Sequence, residues 1–140
     1  MSTHRWEITP YVGIGPLRLG MSRREVEAAL DGPGRMFVKS FDPLTEAYAY
    51  NDHGAHIYYD KNGAVEFIET FEPCIATFCN VILAGRLVED VRADLEKIGV
   101  QCDSYDCGFR AFGVGFGVYA PTDEDDIEGV GIFVRGHFES

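Results

Sequence analysis

The chain is short of positive charge, of tryptophan and of long apolar runs. Twelve Lys and Arg stand against 23 Asp and Glu in 140 residues, a net charge of −11. That balance argues against nucleic acid and anionic membrane as partners, and leaves room for a basic protein. No apolar stretch nears the roughly 20 residues that cross a bilayer. Residues Met1 to Pro10 carry charges where an export signal needs an apolar core, so a cytoplasmic protein is expected. No P-loop, nucleophile elbow or zinc-protease helix is present, and His4, His53, His56 and His137 stand at no recognisable catalytic spacing. What is there is ordinary: 46% hydrophobic and 25% charged residues exclude disorder, collagen and coiled coil. The length fits a single domain over residues 1–140.

Four cysteines fall in two pairs with one gap, Cys74 with Cys79 and Cys102 with Cys107. Four thiolates can complete a zinc tetrahedron, but zinc knuckles use a tighter spacing. Ile75, Ala76 and Phe78 are the neighbours of core thiols. Buried free cysteines are therefore expected, with no metal and no cofactor.

Ser22 and Glu25 spell a capping box, and the helix they open stops at Asp31-Gly-Pro-Gly34. Residues 46–51 alternate as a strand. Ala55 to Tyr59, the turn Asp60 to Gly63, and Ala64 to Phe71 form a hairpin. Its register sets Tyr59 against Val65 and Ile57 against Phe67, leaving His56, Tyr58, Glu66 and Ile68 on the other side. A second helix is expected from Leu83 to Ile98, closed by Gly99. Strands follow over 109–119 and 129–138, with the acidic loop Pro121 to Glu128 between them.

Sliding the sequence by 65 positions lays Gly20 to Leu30 over Gly85 to Leu95, with Gly, Val, Ala and Leu identical. The same offset puts Val65, Phe67 and Ile68 over Val130, Ile132 and Phe133. These matches predict an internal repeat, about 12–72 and about 76–138. The fold class expected is α+β: two helix-then-antiparallel-sheet repeats packed as one domain, with the helices on one face of the sheet.

The stretch from Ile14 to Pro33, with its Gly-Met turn, helix and Gly-Pro stop, resembles a bacterial fold group. That group holds the small outer-membrane assembly lipoproteins and the β-lactamase inhibitor protein. The match spans about 20 of 140 residues. It implies a helix-and-sheet unit, used in tandem by the inhibitor to grip its target with a sheet, and it implies no catalytic residue. A lipoprotein cysteine near the start is absent here.

Two surfaces stand out. Gly113, Gly115 and Gly117 alternate with Phe112, Val114, Phe116 and Val118, which places the glycines in a row opposite the core. Gly129 and Gly131 extend that bare backbone on the last strand. In the first half, Tyr48, Tyr50, His56, Tyr58 and Glu66 make a Tyr-rich sheet face suited to protein recognition. The acidic run Asp123, Glu124, Asp125 and Asp126 suits a basic partner. Together these features predict a non-enzymatic, inhibitor- or immunity-like protein-binding domain, monomeric or homodimeric. A small-ligand binder or minor enzyme with a pocket between the repeats is the alternative.

Overall fold

Helix α1 (Arg23–Ala29) begins where the capping box asks. In the computed structural model, which describes residues 5–37, 46–122 and 124–137, the Ser22 hydroxyl accepts from the Glu25 N–H at 3.2 Å. The Glu25 carboxylate accepts from the Ser22 N–H at 2.9 Å. Seven residues later the helix ends, with Asp31 and Gly32 both at positive φ. Before it come strands β1 (Arg5–Thr9), β2 (Gly13–Ile14) and β3 (Leu17–Arg18). After it come β4 (Arg35–Phe37), β5 (Glu46–Tyr50), β6 (Ala55–Tyr59), β7 (Val65–Thr70), β8 (Ile75–Phe78) and β9 (Val81–Ile82). Helix α2 (Val88–Lys97) precedes β10 (Asp103–Tyr105), β11 (Gly108–Ala111), β12 (Phe116–Tyr119) and β13 (Gly129–Phe133).

The expected α+β class is corrected. Thirteen described strands build two sheets, while the helices hold only seven and ten residues. The fold is mostly β, and a balanced arrangement of helix-then-sheet repeats is overturned. The reason lies in the helical segments themselves. Gly32 halts the first after two turns, and the second starts at Val88 rather than Leu83 because the chain before it is held in extended pairing. Gly85 donates to the Ile127 carbonyl at 3.0 Å, and Leu87 bridges to Asp126.

The smaller sheet has the order β3-β2-β1-β8-β9, with β1 and β8 parallel. The larger is antiparallel throughout, in the order β10-β11-β12-β13-β7-β6-β5-β4. One core joins them: Trp6, Ile8, Ile14 and Leu17 from the small sheet, Val26, Val91 and Leu95 from the helices, and Ile57, Phe109, Phe116 and Ile132 from the large one. Phe78 of β8 meets Phe116 of β12 with ring centroids 5.3 Å apart. The helices and the small sheet therefore pack on one face of the large sheet. On the other face Ala47, Tyr58 and Phe133 are also buried, at 0%, 5% and 2%, and the region of Arg110 and Tyr119 is the more open part. No described helix is long and apolar enough to cross a membrane.

The β6–β7 hairpin turns as expected, Asp60 Oδ1 accepting from the N–H groups of Asn62 and Ala64 at 2.8 and 3.0 Å. Its register differs. Pairing passes from Tyr58 opposite Phe67 to Tyr59 opposite Val65, so Glu66 is an extra, bulged residue. The bulge swaps the faces beyond it. Ile68 joins Ile57 in the core, while Phe67 and Glu69 join Tyr58 and His56 on the outer face.

Candidate functional site: the outer face of the large sheet

Strand alternation and register assemble the outer face row by row. Arg110, Gly117, Gly131, Glu69 and His56 lie side by side across five strands. A second row runs Phe133, Phe67, Tyr58 and Ala47. A third holds Gly108, Tyr119 and Gly129, with Tyr105 paired to Gly108 at the edge. Where Gly117, Gly129 and Gly131 meet, backbone is the floor. The result is a depression of about 210 Å³ walled by Phe67, Phe133, Tyr105, Tyr119, Arg110 and Glu69. A cavity of roughly 150 Å³ takes a benzene ring, so this one has room for a single planar side chain.

The three floor glycines are glycine for different reasons. A Cβ on Gly131 would stand 2.6 Å from the Phe67 ring, so the aromatic wall lies over bare backbone there. On Gly117 it would meet the Phe109 carbonyl at 3.0 Å. At Gly129 the nearest atoms are 3.8 Å away, and packing does not demand glycine.

Polar groups flank the floor on both sides. The Tyr58 hydroxyl donates to Glu69 Oε1 at 3.4 Å, and His56 Nδ1 lies 3.6 Å from the same oxygen. Burial, and then the Glu69 charge, push the Tyr58 phenol above its ordinary range, so it stays protonated and donating at neutral pH. The His56 ring sits between Phe37 and Phe71, at 4.7 and 4.6 Å. Opposite, the Arg110 guanidinium lies 4.4 Å over the Tyr105 ring. His137 stacks on Phe67 at 5.2 Å, and burial, helped by Arg110, lowers its pKa so that the neutral ring is favoured. The arrangement offers aromatic surface, a cation and a carboxylate around one recess.

Several expected site residues lie elsewhere. Tyr48 and Tyr50 are in the core, 7% and 6% exposed, because pairing to Ile57 and Ala55 sends the alanines Ala47 and Ala49 outward instead. Tyr48 is held there by Arg23, whose Nη1 donates to its hydroxyl at 2.6 Å. Gly113 and Gly115 are not on a strand, since the chain reverses over residues 112–115 between β11 and β12. Gly113 is exposed with nothing within 4 Å of a would-be Cβ, and Gly115 lies under the Tyr11 ring. Gly117, His56 and Tyr58 are on the outer face; Glu66 is the bulge beside it. Asp123 lies outside the described residues. Glu124, Asp125 and Asp126 are exposed, and Thr122 ties their loop by donating to Asp125 Oδ2 at 2.8 Å. Phe67, Glu69, Tyr105, Arg110, Tyr119 and Phe133 had not been singled out. For Tyr119 a signal existed, as it shares the parity of Gly117; for Phe67 and Glu69 the bulge removed it.

All four cysteines are free thiols: Cys74 and Cys102 buried, Cys107 half-buried and Cys79 exposed. Among the described residues no group of three or more His, Cys, Asp or Glu is placed to hold a metal ion. Burial pushes the Cys74 thiol up to about 11, and the Thr70 hydrogen bond only partly offsets this. Alkylation of native protein near pH 8, read by peptide mass spectrometry, should label Cys79 first and Cys107 next. Cys74 and Cys102 should react only on unfolding. Equal labelling of Cys74 and Cys79 would contradict the packing of the loop before β8. No family model matches the chain, and neither a curated protein nor a solved structure matches it.

Proposed function

We propose that this chain is a non-enzymatic binding domain, inhibitor- or immunity-like, that engages a basic protein partner through the outer face of the large sheet. One observation carries the reading: a recess walled by aromatic rings over a glycine floor opens on the outer face, with Tyr105 and Tyr119 exposed at its side. A partner side chain seated in the recess would bury ring surface on every side, the arrangement typical of interface hot spots. Tyr105 and Tyr119 are 36% and 42% exposed, already ordered and large, so little freedom is lost when they are covered. The net charge of −11 and the exposed Glu124 to Asp126 loop favour a cationic surface opposite. The four free thiols support a reducing compartment, the cytoplasm. The resemblance of residues 14–33 to an inhibitor fold group points the same way.

Native mass spectrometry of untagged protein purified from its own cells is the test. A complex with a second, basic chain is expected. Tyr119→Ala should weaken it by about 2 kcal/mol, roughly thirtyfold. Gly129→Trp, where a Cβ is tolerated, should fill the recess and abolish it. A complex that survives both changes overturns the sheet-face reading. The recess also has the size of a small ligand; a small-molecule mass increment that disappears in Gly129→Trp would favour that alternative.

A further inference from the structure

Beyond Gly129 the outer face ends, and a larger recess opens on the flank of the molecule. Residues Phe71 to Ile75 after β7, Ile82 to Gly85 around the end of β9, and Asp126 to Glu128 before β13 enclose a cleft of about 900 Å³. That is within the range of roughly 300–1,000 Å³ typical of ligand sites. Its walls are pinned by backbone hydrogen bonds. Gly85 donates to Ile127 O at 3.0 Å, Ile127 to Arg86 O at 2.8 Å, and Cys74 to Phe71 O at 2.8 Å.

Two features of the cleft combine. The floor is apolar, contributed by Phe71, Pro73, Ile75, Ile82, Ala84 and Ile127, and Ile75 is 37% exposed. The rim is anionic: Glu72, Asp126 and Glu128 are all exposed carboxylates, and among the described residues no Lys, Arg or His lines the cleft. Glu124 and Asp125 extend the same sign along the loop. Among the described residues, Arg86 and Arg5 lie close by. Arg86 is taken up by Asp94 at 2.7 Å and the Ile82 carbonyl at 2.9 Å, and Arg5 stands beside Ile75 across the β1–β8 pair. Three carboxylates against Arg5 leave the rim net negative.

We infer that this cleft docks a segment of a protein partner in which apolar side chains are flanked by Lys or Arg. An anionic or purely apolar segment would leave three carboxylates facing like charge or losing water without a cation in return. A single small amine would answer one carboxylate of the three. A basic-apolar-basic segment answers the rim and covers the floor together. The site goes beyond the sheet face and stands without it.

The experiment is an amide NMR titration of the full chain with the capped peptide Lys-Leu-Phe-Leu-Lys, set against Glu-Leu-Phe-Leu-Glu. The Lys peptide should shift the amides of Ile75, Ala84 and Ile127, and the Glu peptide should not. Combining Glu72→Gln, Asp126→Asn and Glu128→Gln should weaken binding about tenfold, and raised salt should act the same way on the unaltered protein. All three carboxylates are exposed, so the fold should be unaffected, and an unchanged spectrum elsewhere checks this. Ile75→Gln should weaken binding with the charges intact. Shifts confined to Tyr105, Tyr119 and Gly131 would overturn the cleft while favouring the sheet face. Equal binding of both peptides, or none by the Lys peptide, would overturn the cleft alone.

Discussion

Phe116→Ala should destabilise the protein by about 3–5 kcal/mol. Domains of this kind hold about 5–15 kcal/mol in all, so the unfolding midpoint should fall by roughly 10–20 °C. The side chain is fully buried, lies between Ala111 and Ile132 across its strand pairs, and meets Phe78 of the small sheet at 5.3 Å. It is a tie between the two layers. Truncating it leaves a hole that neither sheet closes without breaking its own ladder, which is why the upper part of the range applies. Phe112 is the internal control. Strand alternation places it in the same row, yet it sits in the β11–β12 turn at 42% exposure. Phe112→Ala should cost below about 1 kcal/mol. Thermal and urea melts of the two variants check the pair, and similar losses would mean that the two-layer core is wrongly assigned.

Gly108→Ala should cost roughly 2–4 kcal/mol, from strain and overlap together. Gly108 has φ +149, and a Cβ there would stand 2.1 Å from the Val118 carbonyl oxygen. That oxygen belongs to the backbone of the strand β11 pairs with, so relief requires the β11–β12 ladder to part. Gly113→Ala, a few residues along, should stay within about 0.5 kcal/mol of the parent, since nothing lies within 4 Å. Urea denaturation of both decides it. A neutral Gly108→Ala would mean that the start of β11 is free to move, and with it the Tyr105 wall of the recess.

The sequence made some of this legible through strictly local chemistry. Ser22 with Glu25 reads as a cap, and Asp60 with Gly63 as a turn, because each signal acts within four residues. The parity of Gly117 and Tyr119 also survives into the structure, since both lie in one uninterrupted strand. What failed depends on partners far along the chain. Phe112 to Gly115 keeps perfect alternation while reversing direction, so a turn there is invisible to periodicity. The bulge at Glu66 moves Phe67 and Glu69 to the outer face without any change of residue pattern. Tyr48 and Tyr50 look like surface tyrosines until Ile57 and Ala55 are known to be their neighbours. Periodicity starts helix α2 five residues too early because Leu83 serves the core from extended chain rather than from a helical turn.

The strand order has a consequence for synthesis. The middle of the large sheet is the pair β7 with β13, and β13 is the last strand described. As the chain leaves the ribosome, β4 to β7 can pair among themselves, but β7 then ends in a bare edge. Strands β10 to β12 can form a second partial sheet, whose β12 edge is equally open. Both edges are sealed by the same five residues, Gly129–Phe133, and only when they emerge. A chain released before that point would expose two sticky half-sheets to its neighbours and to proteases, whatever the quality of its turns and caps. Strand β13 is thus the seam that turns two half-sheets into one.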